Sequence, residues 1–143
     1  MIKTIKSKYN AKKVKHDWFI FDSKIEYDYY LYLKELEKIG KIKAIYIHPV
    51  YILQPQFIKN NKKYREIKYV ADFKVIYPNK TEIVDIKWMA TNEALLKKKM
   101  FNYKYPNDIL VWIVYIKKRW GRVEYDENKK MKKNEKKDKI NNI

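Results

Sequence analysis

The chain has 143 residues and a formal net charge of +17, from 34 basic and 17 acidic side chains. That length suits one domain with a modest core and hardly two. Cysteine is absent, which excludes disulfides and thiolate metal sites. No run of about 18 apolar residues marks a membrane span.

The excess of positive charge asks for a polyanionic partner, by default nucleic acid. Arg65, Arg119 and Arg122 are the arginines; every other basic residue is a lysine. Lysine is a flexible point charge suited to phosphate, whereas arginine is the usual bidentate reader of guanine. Binding through backbone and shape is therefore expected, with little base reading. An AT-rich genome would also enrich Lys, Ile and Asn, but it does not explain why Asp and Glu stay so far behind. The start, Met1-Ile2-Lys3-Thr4-Ile5-Lys6, lacks the apolar core of a signal peptide, so the cytosol of the producing cell is the expected compartment.

Residues 1–16 carry six lysines and no acid. They read as a mobile basic arm in which Lys8, Lys12 and Lys13 can lie along phosphates, or as a soluble tail. A domain spanning 17–125 follows. Trp18-Phe19-Ile20-Phe21 leads into a first helix, capped by Asp22 or Ser23 and stopped by Gly40. Ile25, Tyr29, Tyr32, Leu33, Leu36 and Ile39 share one face of it, with Glu26 at the rim. Ser23-Lys24-Ile25-Glu26 matches a capping box, a structural role for Glu26 that competes with a functional one.

Strands are expected at Ile42–Ile47 and Tyr51–Ile58, with Lys59-Asn60-Asn61-Lys62-Lys63 a polar loop after them. His48, before Pro49, reads as a loop or edge histidine rather than a ligand. Gln54 can face neighbouring carboxylates only on slender grounds.

Next comes a hairpin, with arms from about Lys68 to Ile76 and Thr81 to Lys87 and a turn at Pro78-Asn79. A symmetric loop pairs Tyr77 with Lys80, Ile76 with Thr81 and finally Asp72 with Asp85. Their Cβ atoms would then lie roughly 5 Å apart, and Lys87 would project from the same face. A three-residue loop would instead put the aspartates on opposite faces. Asp is uncommon inside strands, and each aspartate here sits among apolar neighbours. Paired like charges repel, and a divalent cation between them removes the repulsion; carboxylate oxygens suit Mg²⁺.

Thr91 is a plausible cap for a helix over Asn92–Lys104, with Leu96, Met100 and Tyr103 on one face. Lys97, Lys98 and Lys99 form a basic surface beside the hairpin's end, either a solvated face or a phosphate-tracking one. Asp108 to Ile116 reads as a buried strand, apolar almost throughout. Residues 126–143 read as a Lys-rich disordered tail or, at best, a frayed solvated helix.

The order α-β-β-β-α-β, with Phe21-Asp22-Ser23-Lys24-Ile25-Glu26, Ala71-Asp72-Phe73 and Val84-Asp85-Ile86-Lys87 along it, resembles the PD-(D/E)xK nucleases. Among these it is most similar to small phage Holliday-junction resolvases of the endonuclease I type, over roughly residues 7–116. The resemblance implies an α/β, restriction-endonuclease-like αβββαβ core, with a mixed central sheet flanked by helices. It implies a Mg²⁺-dependent endonuclease, with Mn²⁺ as a substitute, acting on branched duplex DNA as a homodimer in the cytoplasm, that of a bacterial host if phage-encoded. Asp72 would be the bridging metal ligand and Asp85 the second, with the main-chain carbonyl of Ile86 completing the set. Glu26 would be a helix-borne carboxylate on the metal or one step behind it, and Lys87 the catalytic lysine. Ala71 stands where the family name has Pro, Asp85 where Glu is usual, and Trp88 where Gly is frequent. Trp88 would crowd the site or offer a base a stacking surface. The competing readings are a non-catalytic basic nucleic-acid-binding protein on an inactive nuclease fold, and a restriction- or transposition-type nuclease.

Overall fold

Ser23 starts helix α1 (Lys24–Lys38) by accepting a hydrogen bond from the Glu26 amide at 3.2 Å. Gly40 ends it at φ +81, left-handed backbone that glycine enters without strain. A Cβ added at Gly40 would meet nothing within 4 Å. Gly40→Ala therefore carries only the backbone cost, and is expected to lower stability by about 1 kcal/mol in denaturant titration.

The computed structural model describes residues 3–6, 12–16, 19–21, 23–87, 90–116 and 121–141. Strands β1 (Lys3–Lys6), β2 (Lys12–His16) and β3 (Phe19–Phe21) form an antiparallel sheet ahead of α1. The basic arm is thus partly strand, with Val14 of β2 paired to Phe21. Lys8 lies outside the described residues, as do the side chains of Lys12 and Lys13.

After α1 come β4 (Ala44–Ile47), β5 (Val50–Gln54), β6 (Phe57–Lys59), β7 (Lys62–Tyr64), β8 (Ile67–Val70), β9 (Phe73–Ile76) and β10 (Thr81–Ile86). Helix α2 (Asn92–Lys104), β11 (Ile109–Ile116), β12 (Gly121–Glu124) and α3 (Tyr125–Asn141) complete the chain. The main sheet has the order β12-β11-β10-β9-β4 and is mixed: β10 and β11 run parallel, the other pairs antiparallel. The protein is an α/β fold.

The β9–β10 hairpin has the expected register, with Ile76 opposite Thr81 and Phe73 opposite Val84. Its first arm is not continuous, however. The chain bends at Ala71-Asp72, so β8 pairs with β5 in a separate two-stranded sheet while β9 stays in the main one. The strand expected at Tyr51–Ile58 is likewise divided, and the supposed polar loop is the turn of a second hairpin, β6–β7. Gln54 pairs with Ile67, at the end of β5 away from Val50 and its partner Val70.

Alternation along β10 sends Val84 to one core and Ile83 to the other. The first core joins Phe21, Phe73 and Val75 to Tyr27, Tyr29, Tyr30 and Leu33 of α1. Fully burying a ring such as Phe73 contributes about 1.5–3 kcal/mol relative to exposure. The buried stripe of α1 is rotated from the expected one: Tyr32 and Ile39 are exposed and Ile25 half-buried, because Phe21 draws Tyr27 and Tyr30 inward. The second core sets Phe101 of α2 against Leu53, Tyr69, Ala71 and Ile83. On α2, Phe101 and Met100 pack, while Leu96 and Tyr103 are exposed. Strand β11 is buried fully at Trp112, whereas Ile109 is exposed.

The segment read as disordered or, at best, a frayed solvated helix is helix α3, whose described side chains are nearly all exposed. Lysine and glutamate favour helix, and no Gly or Pro interrupts residues 125–141. Its first residues are anchored: Tyr125 meets the Trp112 ring edge-on at 5.3 Å, and Asp126 pairs with Lys98 at 3.4 Å. Among the described residues no helix is long and apolar enough to cross a membrane.

Candidate metal centre

Glu26 sits in the first turn of α1, its amide taken by Ser23. Its carboxylate turns to His48, with Oε1 2.7 Å from Nε2, and the residue is only 2% exposed. The capping-box sequence thus provides the cap through Ser23, while the glutamate faces a histidine.

His48 lies between β4 and β5 at φ 52, a left-handed conformation in which non-glycine residues are uncommon. Its amide donates to the Asp72 carbonyl at 2.9 Å, and the Ala71 amide donates to the Pro49 carbonyl at 3.2 Å. These two bonds tie the β4–β5 turn to the bend before β9. The strained backbone therefore holds the imidazole beside Asp72. Among the described residues, Glu26, His48 and Asp72 each offer a ligand atom, all within 4.8 Å of one another. His48 does lie in a loop at a strand end, as its sequence suggests, but beside two carboxylates that the sequence does not place there. The available signal was a histidine before proline at a strand end, weak without knowledge of what lies across from it.

Asp72 occupies the bend itself. Its amide donates to the Val84 carbonyl at 3.1 Å, and its Oδ2 accepts from the Ile86 amide at 2.6 Å. Burial raises its carboxyl well above the ordinary range, and the charges of Asp85 and Glu26 raise it further; the Ile86 N–H opposes the rise. Such an environment calls for a proton or a cation to relieve it.

Asp85, 5% exposed, follows Val84, where the β9–β10 ladder ends; the expected pairing of Asp72 with Asp85 is not part of that ladder, the Asp72 amide bonding the Val84 carbonyl instead. Its Oδ2 accepts from the Tyr69 hydroxyl at 2.5 Å and pairs with Lys87 Nζ at 2.7 Å. Asp85 and Lys87 share a face, as the two-residue spacing requires. The Tyr69 hydroxyl accepts in turn from Trp112 Nε1 at 2.8 Å. Burial, and then the Asp85 charge, push the Tyr69 phenol up, so it remains a donor. Lys87 Nζ lies 5.1 Å from the centre of the Trp112 ring, an attractive cation–π placement. Parallel pairing of β10 with β11 sets Asp85 beside Trp112. Neither Tyr69 nor Trp112 carried a sequence signal, one being among 14 tyrosines and the other inside an apolar run.

Glu26 and His48 thus gather about Asp72, while Asp85 and Lys87 form a neighbouring pair outside that three-residue group, with the Asp85 charge still acting on the Asp72 carboxyl. The contact between Ile86 and Asp72 runs through the Ile86 amide. Trp88 lies outside the described residues. Lys87 and Asp85 open onto a pocket of about 430 Å³, walled by Tyr69, Thr91, Glu93 and Lys97. The expected basic face of α2 is divided. Lys97 pairs with Glu93 at 2.9 Å, and Lys98 Nζ lies 4.6 Å from the centre of the Trp112 ring. Lys99 is exposed.

A family model described as "Protein of unknown function (DUF1064)" matches residues 6–121. The chain belongs to the DUF1064 family. No curated protein and no solved structure matches it. The matched span of this DUF1064 chain includes Glu26, His48, Asp72, Asp85 and Lys87.

Proposed function

We propose that the protein is a metal-dependent endonuclease that hydrolyses DNA phosphodiesters and selects branched duplexes. One observation carries the reading: Glu26, His48 and Asp72 offer ligand atoms within 4.8 Å of one another, and Asp85, paired with Lys87, is near enough for its charge to act on the Asp72 carboxyl. The two carboxylates and the imidazole of Glu26, Asp72 and His48 suit Mg²⁺ or Mn²⁺, and the imidazole favours the latter.

A bound divalent cation would polarise a phosphate oxygen and lower the pKa of a coordinated water. Asp72 would be its principal anchor, with Asp85 beyond it and Glu26 and His48 behind. Glu26 holds the His48 ring in place through the 2.7 Å contact. Lys87 places an ammonium group where charge develops on the phosphoryl oxygens, and Tyr69 steadies the Asp85 carboxylate that orients it. The net charge of +17 would hold the DNA backbone and make binding steeply salt-dependent. Two cuts resolve a four-way junction, so a homodimer is the assembly this reading expects.

A panel of linear, flap and four-way substrates with Mg²⁺ or Mn²⁺ tests it. The four-way substrate should be cut fastest. Asp85→Ala and Lys87→Ala should each slow cleavage by about 10²–10³-fold, the scale of losing a charge-stabilising group, while leaving DNA binding intact. A protein that binds branched DNA yet cuts none of these with either ion would be a binding protein, and the reading would fall.

A further inference from the structure

The β6–β7 hairpin is a two-stranded sheet of its own, and every residue from 55 to 66 is exposed. Asn60 and Asn61, at φ 51 and 60, form its turn, as a two-residue hairpin loop requires. A free hairpin is marginal in water, and this one is held by Phe57 and Tyr64, whose rings stack at 4.7 Å with planes 5° apart.

Register divides its side chains. Phe57 pairs with Tyr64 and Lys59 with Lys62, so one face carries an aromatic pair beside two opposed lysines. Lys62 Nζ lies 5.3 Å from the centre of the Tyr64 ring. The other face carries Ile58, 74% exposed, opposite Lys63. A hollow of about 390 Å³ lies between Gln56, Phe57, Ile58 and Lys63. Opposed lysines repel and large exposed apolar groups are costly, so both features fit a ligand that is anionic and has flat apolar faces.

We infer that this ribbon is a nucleic-acid contact that takes an unstacked base against its aromatic and aliphatic side chains, with Lys59 and Lys62 on the flanking phosphates. Every base has a π-face, so such stacking tolerates sequence but demands that the base be out of the duplex. A branch point interrupts the stack and bares base faces there, which a continuous duplex does not. The ribbon is thus a determinant of substrate shape. It rests on the nucleic-acid part of the proposed function and not on the cleavage chemistry.

Fluorescence anisotropy in EDTA, where cleavage is stopped, tests this with a four-way junction and a linear duplex of the same sequence. The Phe57→Ala/Tyr64→Ala protein should bind the junction about tenfold more weakly while its affinity for the duplex changes little. Ile58→Ser, which spares the stacked pair, should move junction binding in the same direction. Lys59→Gln/Lys62→Gln should weaken binding to both and reduce the slope of log affinity against log salt by about two. Unchanged junction binding in all three variants would overturn the inference. So would a loss confined to self-association in sedimentation, which would make the ribbon a contact between copies of the chain. Failure of the native protein to cut DNA would remove the nuclease reading and leave this result standing.

Discussion

Replacing Asp72 with asparagine is expected to raise the melting temperature of the metal-free protein at neutral pH and to abolish cleavage. The amide keeps an acceptor for the Ile86 N–H, now bonded at 2.6 Å, but removes the charge. Burial, then Asp85 and Glu26, raise the Asp72 carboxyl in the folded protein, whereas in the unfolded chain it titrates at about 3.9. The folded state therefore holds the proton more tightly. By linkage, stability falls as pH rises from about 4 through the raised folded value, and above that value the penalty is complete. A neutral amide in its place carries no such penalty. At neutral pH the Asp72→Asn variant should gain about 1–2 kcal/mol, several degrees in melting temperature, and lose that part of the pH dependence.

Added Mn²⁺ should reverse the ranking. A ligand at 100 times its dissociation constant stabilises by about 2.7 kcal/mol, and only the protein with Asp72 should respond. Scanning calorimetry across pH, with and without Mn²⁺, reads all of this. An asparagine variant that melts lower in EDTA, or still responds to Mn²⁺ like the native chain, would show that Asp72 is not the strained anchor described.

The second large effect is expected at Trp112, the largest fully buried side chain among the described residues, 1% exposed. It braces the Asp85–Lys87 pair: its indole N–H feeds the Tyr69 hydroxyl that holds Asp85, and its ring lies near both Lys87 and Lys98. Trp112→Ala should cost about 3–5 kcal/mol by opening a cavity, and it removes the surface against which Tyr125 rests. Trp112→Phe separates packing from hydrogen bonding. It fills most of the space and deletes the donor, so stability should fall by about 1–2 kcal/mol. Trp112 acts as a positioning residue, so kcat should drop about tenfold while KM and DNA affinity barely change. Tyr69→Phe should do the same, and the double variant should be less than additive because both act through one carboxylate. A folded Trp112→Phe protein with native kcat would show that the chain from Trp112 to Asp85 does not position Lys87.

Much of this arrangement is legible locally. Ser23, Gly40 and Thr91 end helices by chemistry that acts within a few residues, and those boundaries are read straight from the chain. The β9–β10 register follows from turn length and alternation, which is why Asp72, Asp85 and Lys87 are predicted on one side. What escapes is set by contacts distant in sequence. His48 meets Glu26 across 22 residues and Trp112 meets Tyr69 across 43, and no local pattern encodes either. The bend at Asp72 hides in a continuous run of strand-forming residues, because two sheets compete for it. The β6–β7 turn did have a local sign, Asn60-Asn61 between strand-forming runs, outweighed by the surrounding lysines. The α3 helix shows the reverse case: low hydrophobicity suggests disorder, while propensity and the anchor at Tyr125 favour helix.

The most direct measurement is anomalous scattering from crystals of the protein soaked in Mn²⁺. A peak is expected within about 2.0–2.3 Å of an Asp72 carboxylate oxygen, with Glu26, His48 or Asp85 supplying further ligands. A fully soaked crystal whose manganese sits elsewhere, with Lys87 still closed on Asp85 and nothing beside Asp72, would contradict it.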